Sequence, residues 1–359
     1  MSIYNVVTTD LNDVKTQHAW NAFVSRHQEE GHHHLSGYLQ AIKKAFNHDL
    51  ICLMATDRSS GEVKGVLPLI GIRSFLFGDK LTSIPFYNYG GPLYDSFGAC
   101  EALVNEAKLI RIKRRYQSLE LRCMKDHSNQ GGLSVETHKA CLVLALPDAI
   151  NKIGVGNAKK RSKLRSQCKL AERKAKEMGV PLEQKFGTND VLFNDFYSVF
   201  AKRMHALGTP VYGKHFFQSI LDNTPSTITV VYWNGKPVSC GWLFDHGDRI
   251  SIPWASTLNE VNRYAINSHM YYNILSRCID EGRKLFDFGR STIDAGTYKF
   301  KLQWGAEPQQ CYWHKSSDLL KAEDRQPQDT FSLAVKCWKK IPLSVANLIG
   351  PFIIKSIAA

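Results

Sequence analysis

The chain has 359 residues, 43% of them hydrophobic and 22% charged, the composition of a folded protein large enough to bury a sizeable core, most simply in two domains. That excludes a disordered chain, a collagen-like repeat and a small disulfide-stapled scaffold. Lysine and arginine outnumber aspartate and glutamate by 46 to 33, a formal charge of +13, so an anionic partner is expected: a nucleic acid, a phosphorylated metabolite or a membrane surface.

Nine scattered cysteines without a C-x-x-C pair read as reduced, mostly buried thiols. The first residues carry no basic-then-apolar leader and no uncharged run reaches membrane-spanning length, so the expected residence is the cytoplasm. In chain order, His32-His33-His34 comes first. With His48 it lacks the Glu or Asp spacing of a metal site, and a structural or helix-entry role is expected, with no metal.

Next, Leu50–Thr56 and Val66–Ile72 read as strands joined by the turn Gly61–Gly65. Ser83-Ile84-Pro85-Phe86, a helix from about Cys100 to Tyr116 and the strand Ser118–Arg122 follow, and Arg111–Arg115 is read as a solvated helix end. The same order returns 168 residues later: strands Thr227–Trp233 and Val238–Phe244, then Ser251-Ile252-Pro253-Trp254, a helix from about Ala265 to Glu281 and the strand Lys284–Phe288. Ser83 to Glu120 spans 37 positions and Ser251 to Asp287 spans 36, so the two copies also match in length.

Between the copies, Asn157–Gly179 reads as one helix ended by Gly179 and Pro181. Lys159–Lys176 holds nine basic residues and one acidic, +8 of the chain's +13, and Lys160, Arg161 and Arg165 are the expected anion-binding residues. No aromatic residue interrupts it to stack on bases. The expected fold class is mixed α/β with two tandem domains, 1–150 and 151–315, followed by a tail, 316–359, whose apolar segment at Ile341–Lys355 is either packed on the core or laid in a membrane interface.

The densest chemistry lies at 286–305. There Asp287 and Gly289 alternate on one strand face, and Arg290, Ser291, Lys299 and Lys301 crowd the turns that follow, a pattern suited to a phosphate or carboxylate. The competing reading is an internal Asp287–Arg290 ion pair. Asn267, His269 and Tyr272 lie on the preceding helix, where His269 is a candidate general base. Asp287 and Glu120 occupy equivalent repeat positions, and no Gly-x-Ser-x-Gly elbow supports a Ser-His-Asp triad.

Phe-Asp-Phe-Gly-Arg-Ser-Thr at 286–292, Gly-Thr-Tyr-x-Phe-Lys at 296–301 and Trp-Gly-Ala-Glu-Pro at 304–308 closely resemble FemAB-related proteins, tandem GNAT-like transferases of the peptidoglycan-bridge aminoacyltransferase superfamily. Gly65–Leu69, Phe77-Gly78, Ser83–Phe86, Tyr89-Gly90-Gly91 and Glu120–Arg122 resemble the subgroup associated with PEP-CTERM protein sorting and exopolysaccharide gene clusters. The resemblance implies two GNAT-like domains, the second like a BioF2-type acetyltransferase. It also implies acyl or aminoacyl transfer to an amine or hydroxyl, without a bound cofactor, from acyl-CoA or aminoacyl-tRNA as co-substrate. The chain departs from both donor types: Asn151-Lys152-Ile153-Gly154-Val155-Gly156 is an imperfect CoA loop, and the single basic helix is no long tRNA arm.

The expected catalytic residues are Asp287, His269 and Arg290. Glu120, Asn267, Ser291, Tyr298, Lys299, Lys301 and Trp304 are the expected substrate contacts. The acceptor is expected to be a small molecule or a lipid-linked glycan of cell-envelope or exopolysaccharide synthesis, with tRNA and peripheral attachment to the inner membrane left open. The rival reading is a non-catalytic module that binds an anionic lipid-linked glycan or an assembly partner.

Overall fold

The computed structural model describes residues 3–27, 31–75, 77–127, 132–317 and 334–357. The first half runs β1 (Tyr4–Thr9), α1 (Val14–Arg26), α2 (Ser36–Phe46), β2 (Asp49–Asp57), β3 (Val63–Ile72), β4 (Lys80–Thr82), β5 (Leu93–Tyr94), α3 (Phe97–Lys113), β6 (Ser118–Cys123) and β7 (Ser134–Glu136). Then come β8 (Lys139–Ala145), α4 (Ala158–Cys168), α5 (Leu170–Met178), β9 (Leu182–Gly187), α6 (Asp190–Leu207), α7 (Lys214–Asn223), β10 (Ser226–Trp233), β11 (Lys236–Asp245), β12 (Arg249–Thr257), α8 (Ile266–Asp280) and β13 (Leu285–Thr292). The remainder is α9 (Gly296–Leu302), β14 (Glu307–Gln310), β15 (Tyr312–Ser317) and α10 (Leu343–Ile354).

Both copies of the repeat fold alike. One sheet is ordered β1-β2-β3-β4-β6-β15-β7 and the other, read from its far edge, β9-β10-β11-β12-β13-β8-β14. The neighbours pair antiparallel except at one place in each, β4 with β6 and β12 with β13. The one-residue difference in spacing is a register difference: Glu120 stands opposite Thr82, whereas Asp287 stands opposite Ser251 itself. Helix pairs α1/α2 and α6/α7 fill equivalent places, and local chemistry starts and stops them. Asp13 and Asn189 cap the first turns of α1 and α6, while Asn47 and Gly208 end α2 and α6 in the left-handed conformation.

The sheets exchange strands. β8, which precedes residue 150, lies beside β13 in the second sheet, and β15 returns from the end of the second copy to lie beside β6 in the first. A core cluster spans both halves: Trp20 and Phe23 of α1 and Tyr38 of α2 share it with Phe196 of α6, Phe217 of α7, Trp242 and Trp254. α3 covers the outer face of the first sheet, and α4, α5 and α8 cover that of the second. All nine cysteines are free thiols and only Cys337 is exposed.

The expected single helix 157–179 is two, α4 and α5, meeting at Lys169, with Gly179 closing the second in the left-handed conformation. In the tail, residues 318–333 lie outside the described residues. α10 packs Ala346, Gly350 and Ile354 inward and leaves Val345, Leu348, Ile349 and Phe352 exposed on the other side. His48 Nε2 lies 2.9 Å from the carbonyl of Lys355 at its end. Among the described residues no helix is long and apolar enough to cross a membrane.

Candidate functional site

β12 and β13 pair only through Arg249–Leu285, Ile250–Phe286 and Ser251–Asp287, and then part. On the side facing the first half, this parting opens into a cavity of about 300 Å³. Its walls are Phe86, Tyr212, Trp254 and Pro253, with Asn88 and Arg290 as polar groups and Ile354 of α10 at its edge. Phe86 and its neighbour Ile84 hold positive φ, +77° and +40°, uncommon for residues of their size.

The motif residues of β13 build a bulge beside this cavity. The register against β8 shifts between Asp287 and Arg290, and Gly289 takes φ +75°, which favours glycine. Three side chains hold the bulge. Asp287 Oδ1 accepts from the Gly289 amide at 2.8 Å, Asn88 Oδ1 accepts from the Arg290 amide at 3.3 Å, and Lys301 Nζ donates to the carbonyls of Gly289 and Arg290 at 2.9 and 3.1 Å. Burial pushes the Lys301 ammonium down to about 8. A side chain at 289 would place its Cβ 3.0 Å from Asn88 Nδ2, so the glycine also permits the close approach of the first half.

Asp287 is fully buried, and its other oxygen accepts from Arg249 Nη2 at 3.0 Å. The ion pair is therefore Asp287–Arg249 and not Asp287–Arg290. Arg290 instead reaches the Asn88 carbonyl at 3.4 Å and lies over the Trp313 ring at 4.8 Å, and burial pushes it down to about 10.

The structure brings Asp287, Arg290, Ser291 and Lys301 together and disperses the other expected residues. Ser291 is buried, with no partner for its hydroxyl among the described residues. Trp304 is wholly buried against Tyr271, Phe288 and Phe300, a core position. Tyr298 is half-buried and Lys299 exposed on α9. Asn267 accepts from Thr257.

His269 lies across the second sheet from the Arg290 cavity, 3.6 Å from Glu172 and 3.0 Å from the Asn273 amide. It borders a separate open groove of about 540 Å³ with Gln184 and Phe186, and burial lowers its basicity. Glu120 bonds Arg122 Nε at 2.7 Å in the first sheet; burial alone would raise its carboxyl, but Arg122 and Lys315 hold it below the usual range.

Arg161 and Arg165 donate to the carbonyls of Gly156 and Asn151, while Lys160 is exposed on the same turn. The 151–156 loop is thereby a poor pyrophosphate cradle. The amides of Gly154 and Val155 are already taken by the carbonyls of Trp304 and Gln303. The stretch leading into α8, Asn259–Tyr264, contains no glycine. Among the described residues no cluster fit for a metal ion occurs.

Sequence reasoning passed over Asn88, Arg249 and Trp313. Asn88 and Arg249 could have been found from the Ser-Ile-Pro repeat, since they flank its two copies. The three adjacent histidines do enter α2 through a tight turn, and all are buried. His33 stacks on Tyr87 at 4.9 Å, and His32 stacks on His246 at 4.0 Å, which ties the histidine turn to the second half.

Residues 162–302 match the family described as an acetyltransferase (GNAT) domain. No curated protein matches the chain in sequence. Among solved structures, FemX is similar at 13% identity and TM-score 0.61, over 86% of this chain and 96% of that one. A tandem GNAT protein from the clavulanic acid biosynthesis pathway is similar at 12% identity and TM-score 0.59, over 88% and 98%. L-PGS from Bacillus licheniformis follows at 12% and 0.54, over 92% and 98%. At these identities the likeness is one of fold: a FemAB-like tandem of two GNAT units.

Proposed function

We propose that the protein is an acyltransferase that moves an acyl, acetyl or aminoacyl group onto an amine or hydroxyl of a cell-envelope or exopolysaccharide precursor. The observation that carries this reading is the parting of β12 and β13 beneath an aromatic-walled cavity that Arg290 enters from the bulge. Where the ladder stops the strands leave room for a ligand beside the Arg290 guanidinium, a positive group placed to favour charge growing on an acyl oxygen.

In the reaction the acceptor gives up a proton as the new C–N or C–O bond forms. The donor's C–S or C–O bond breaks, and its leaving thiolate or alkoxide takes a proton. Arg290 holds the anionic part of the substrate, while Asp287 and Lys301, whose polar atoms are engaged with the bulge and Arg249, position it. The donor is acyl-CoA or aminoacyl-tRNA. The loop at 151–156 has spent amides a pyrophosphate would need, whereas the exposed lysines of α4 remain free to meet a polyanion.

Arg290→Ala is expected to lower kcat/KM by about 10- to 100-fold, the worth of one charge-assisted contact, with little change in melting temperature. The assay is a donor panel of acyl-CoAs and aminoacyl-tRNAs against amine and hydroxyl acceptors. Turnover unchanged in the variant would remove Arg290 from the site.

A second reading, membrane-associated binding without catalysis, draws on α10. Val345, Leu348, Ile349 and Phe352 share one face at i, i+3, i+4 and i+7 spacing, and Lys339, Lys340 and Lys355 flank it. The full chain is expected to sediment with anionic phosphatidylglycerol vesicles and to lose that binding in Leu348→Ser/Phe352→Ser. Equal sedimentation of both proteins would detach α10 from any lipid role.

A further inference from the structure

Four cationic side chains gather on one indole. Arg122, Lys139, Arg290 and Lys315 lie 4.5, 4.6, 4.8 and 5.9 Å from the ring centroid of Trp313. They come from β6, β8, β13 and β15, so the cluster sits where the two sheets exchange strands.

Two carboxylates answer part of this charge. Glu120 bonds Arg122 at 2.7 Å and stands 3.8 Å from Lys315, and Glu136 stands 2.9 Å from Lys315. Among the described residues no carboxylate comes within ion-pair distance of Lys139 or Arg290, which leaves two positive charges unanswered in a half-buried place. Burial, with Arg290 and Arg122 nearby, pushes Lys139 down to about 8, so the cations strain against one another. Trp313 is 9% exposed, and among the described residues its Nε1–H finds no acceptor. A buried donor without a partner, beside two cations that no described carboxylate answers, suits an anion.

We propose that the cluster around Trp313 binds the phosphate or pyrophosphate group of a substrate whose body occupies the Arg290 cavity. The proposal rests on the reading of that cavity as the substrate site, because Arg290 belongs to both: it lines the cavity and lies over Trp313. Guanidinium groups fit phosphate oxygens in pairs, the ammonium adds a point charge and the indole N–H a neutral donor. Lys139 and Arg290, the two cations without a carboxylate among the described residues, match a phosphate dianion better than a carboxylate. Phe86, Tyr212 and Trp254 offer flat faces to a sugar or nucleobase attached to it.

The test is calorimetric titration of the full-length chain with inorganic phosphate and pyrophosphate, using wild type, Lys139→Gln and Lys139→Arg. Pyrophosphate is expected to bind in a salt-sensitive manner, at least about tenfold more weakly to Lys139→Gln and nearly normally to Lys139→Arg. Lys139→Gln is expected to melt no lower than wild type, because it relieves crowding between like charges; this separates lost binding from lost folding. Coenzyme A and a UDP-sugar, added as competitors, distinguish the sources of the group: whichever displaces pyrophosphate in wild type carries it. No binding of either inorganic anion at millimolar concentration, or equal binding by Lys139→Gln, would overturn the proposal even if acyl transfer were found. Binding as expected without transfer to any acceptor would leave the anion site standing and remove the acyltransferase reading.

Discussion

Lowering the pH from 7 to 5 is expected to destabilise this protein by several kcal/mol and to drop its melting temperature steeply. The cause is the histidine cluster between the halves. Burial, with the charge of Arg249 and neighbouring His34, pushes His32 down to about 3; burial pushes His34 down to about 4 against the Gly91 and Gly31 backbone contacts that favour its charged form. Burial drives His33 and His246 in the same direction. These side chains are neutral in the folded protein and titrate near 6.5 once unfolded, so below that value the unfolded chain binds more protons. Stability conferred by a depressed histidine is whole above 6.5 and is lost as the pH falls toward the folded value. Between pH 7 and 5, His32 and His34 each forfeit about 2 kcal/mol by this linkage, against a total stability of about 5–15 kcal/mol for a typical domain.

Thermal unfolding followed by circular dichroism at half-unit steps from pH 8 to 4.5 reads the effect directly. His33→Phe, which keeps a ring against Tyr87, is expected to flatten the profile by its share. A melting temperature constant between pH 7 and 5 would show that the cluster takes up protons without opening.

The repeat made the fold legible. Ser-Ile-Pro recurs at 83 and 251, with a turn between strands before each copy and a helix then a strand after it, and both copies fold in that order. Strand exchange was hidden for a physical reason. Cys141–Leu146 is an apolar run that would look the same beside β6 or β13, because burial on both faces sets its composition and only tertiary pairing sets its neighbour. The break at Lys169 was hidden as well, since no glycine or proline marks it and the residues on both sides favour helix.

In the site, Arg290 and Lys301 could be singled out because glycines and cations crowd one short segment. The partners that give them meaning lie far off in sequence: Asn88 is 202 residues from Arg290, and Arg249 is 38 from Asp287. The Trp313 cluster draws its four cations from four strands, so no local pattern announces it.

Asp287→Ala is expected to cost about 3–5 kcal/mol, the penalty for stranding a buried charge. Arg249 and Asp287 have side chains 6% and 0% exposed, and the carboxylate serves both the guanidinium and the Gly289 amide. For a chain of this length that loss corresponds to about 5 °C in melting temperature. Asp287→Asn keeps the shape and an acceptor for Gly289 while removing the charge, and is expected to fall between the two. Removing both ions, in Arg249→Met/Asp287→Leu, is expected to recover much of the stability, because a buried pair replaced by apolar groups of similar size leaves no charge behind.

The same series separates two roles for Asp287. A positioning residue loses stability and turnover together, and the Arg249→Met/Asp287→Leu protein regains stability before activity. A proton acceptor would instead lose turnover in Asp287→Asn far beyond what its loss of stability accounts for. Asp287 is enclosed, with both oxygens committed, which favours the first outcome; the second would require the bulge to open so that the carboxylate could reach the acceptor.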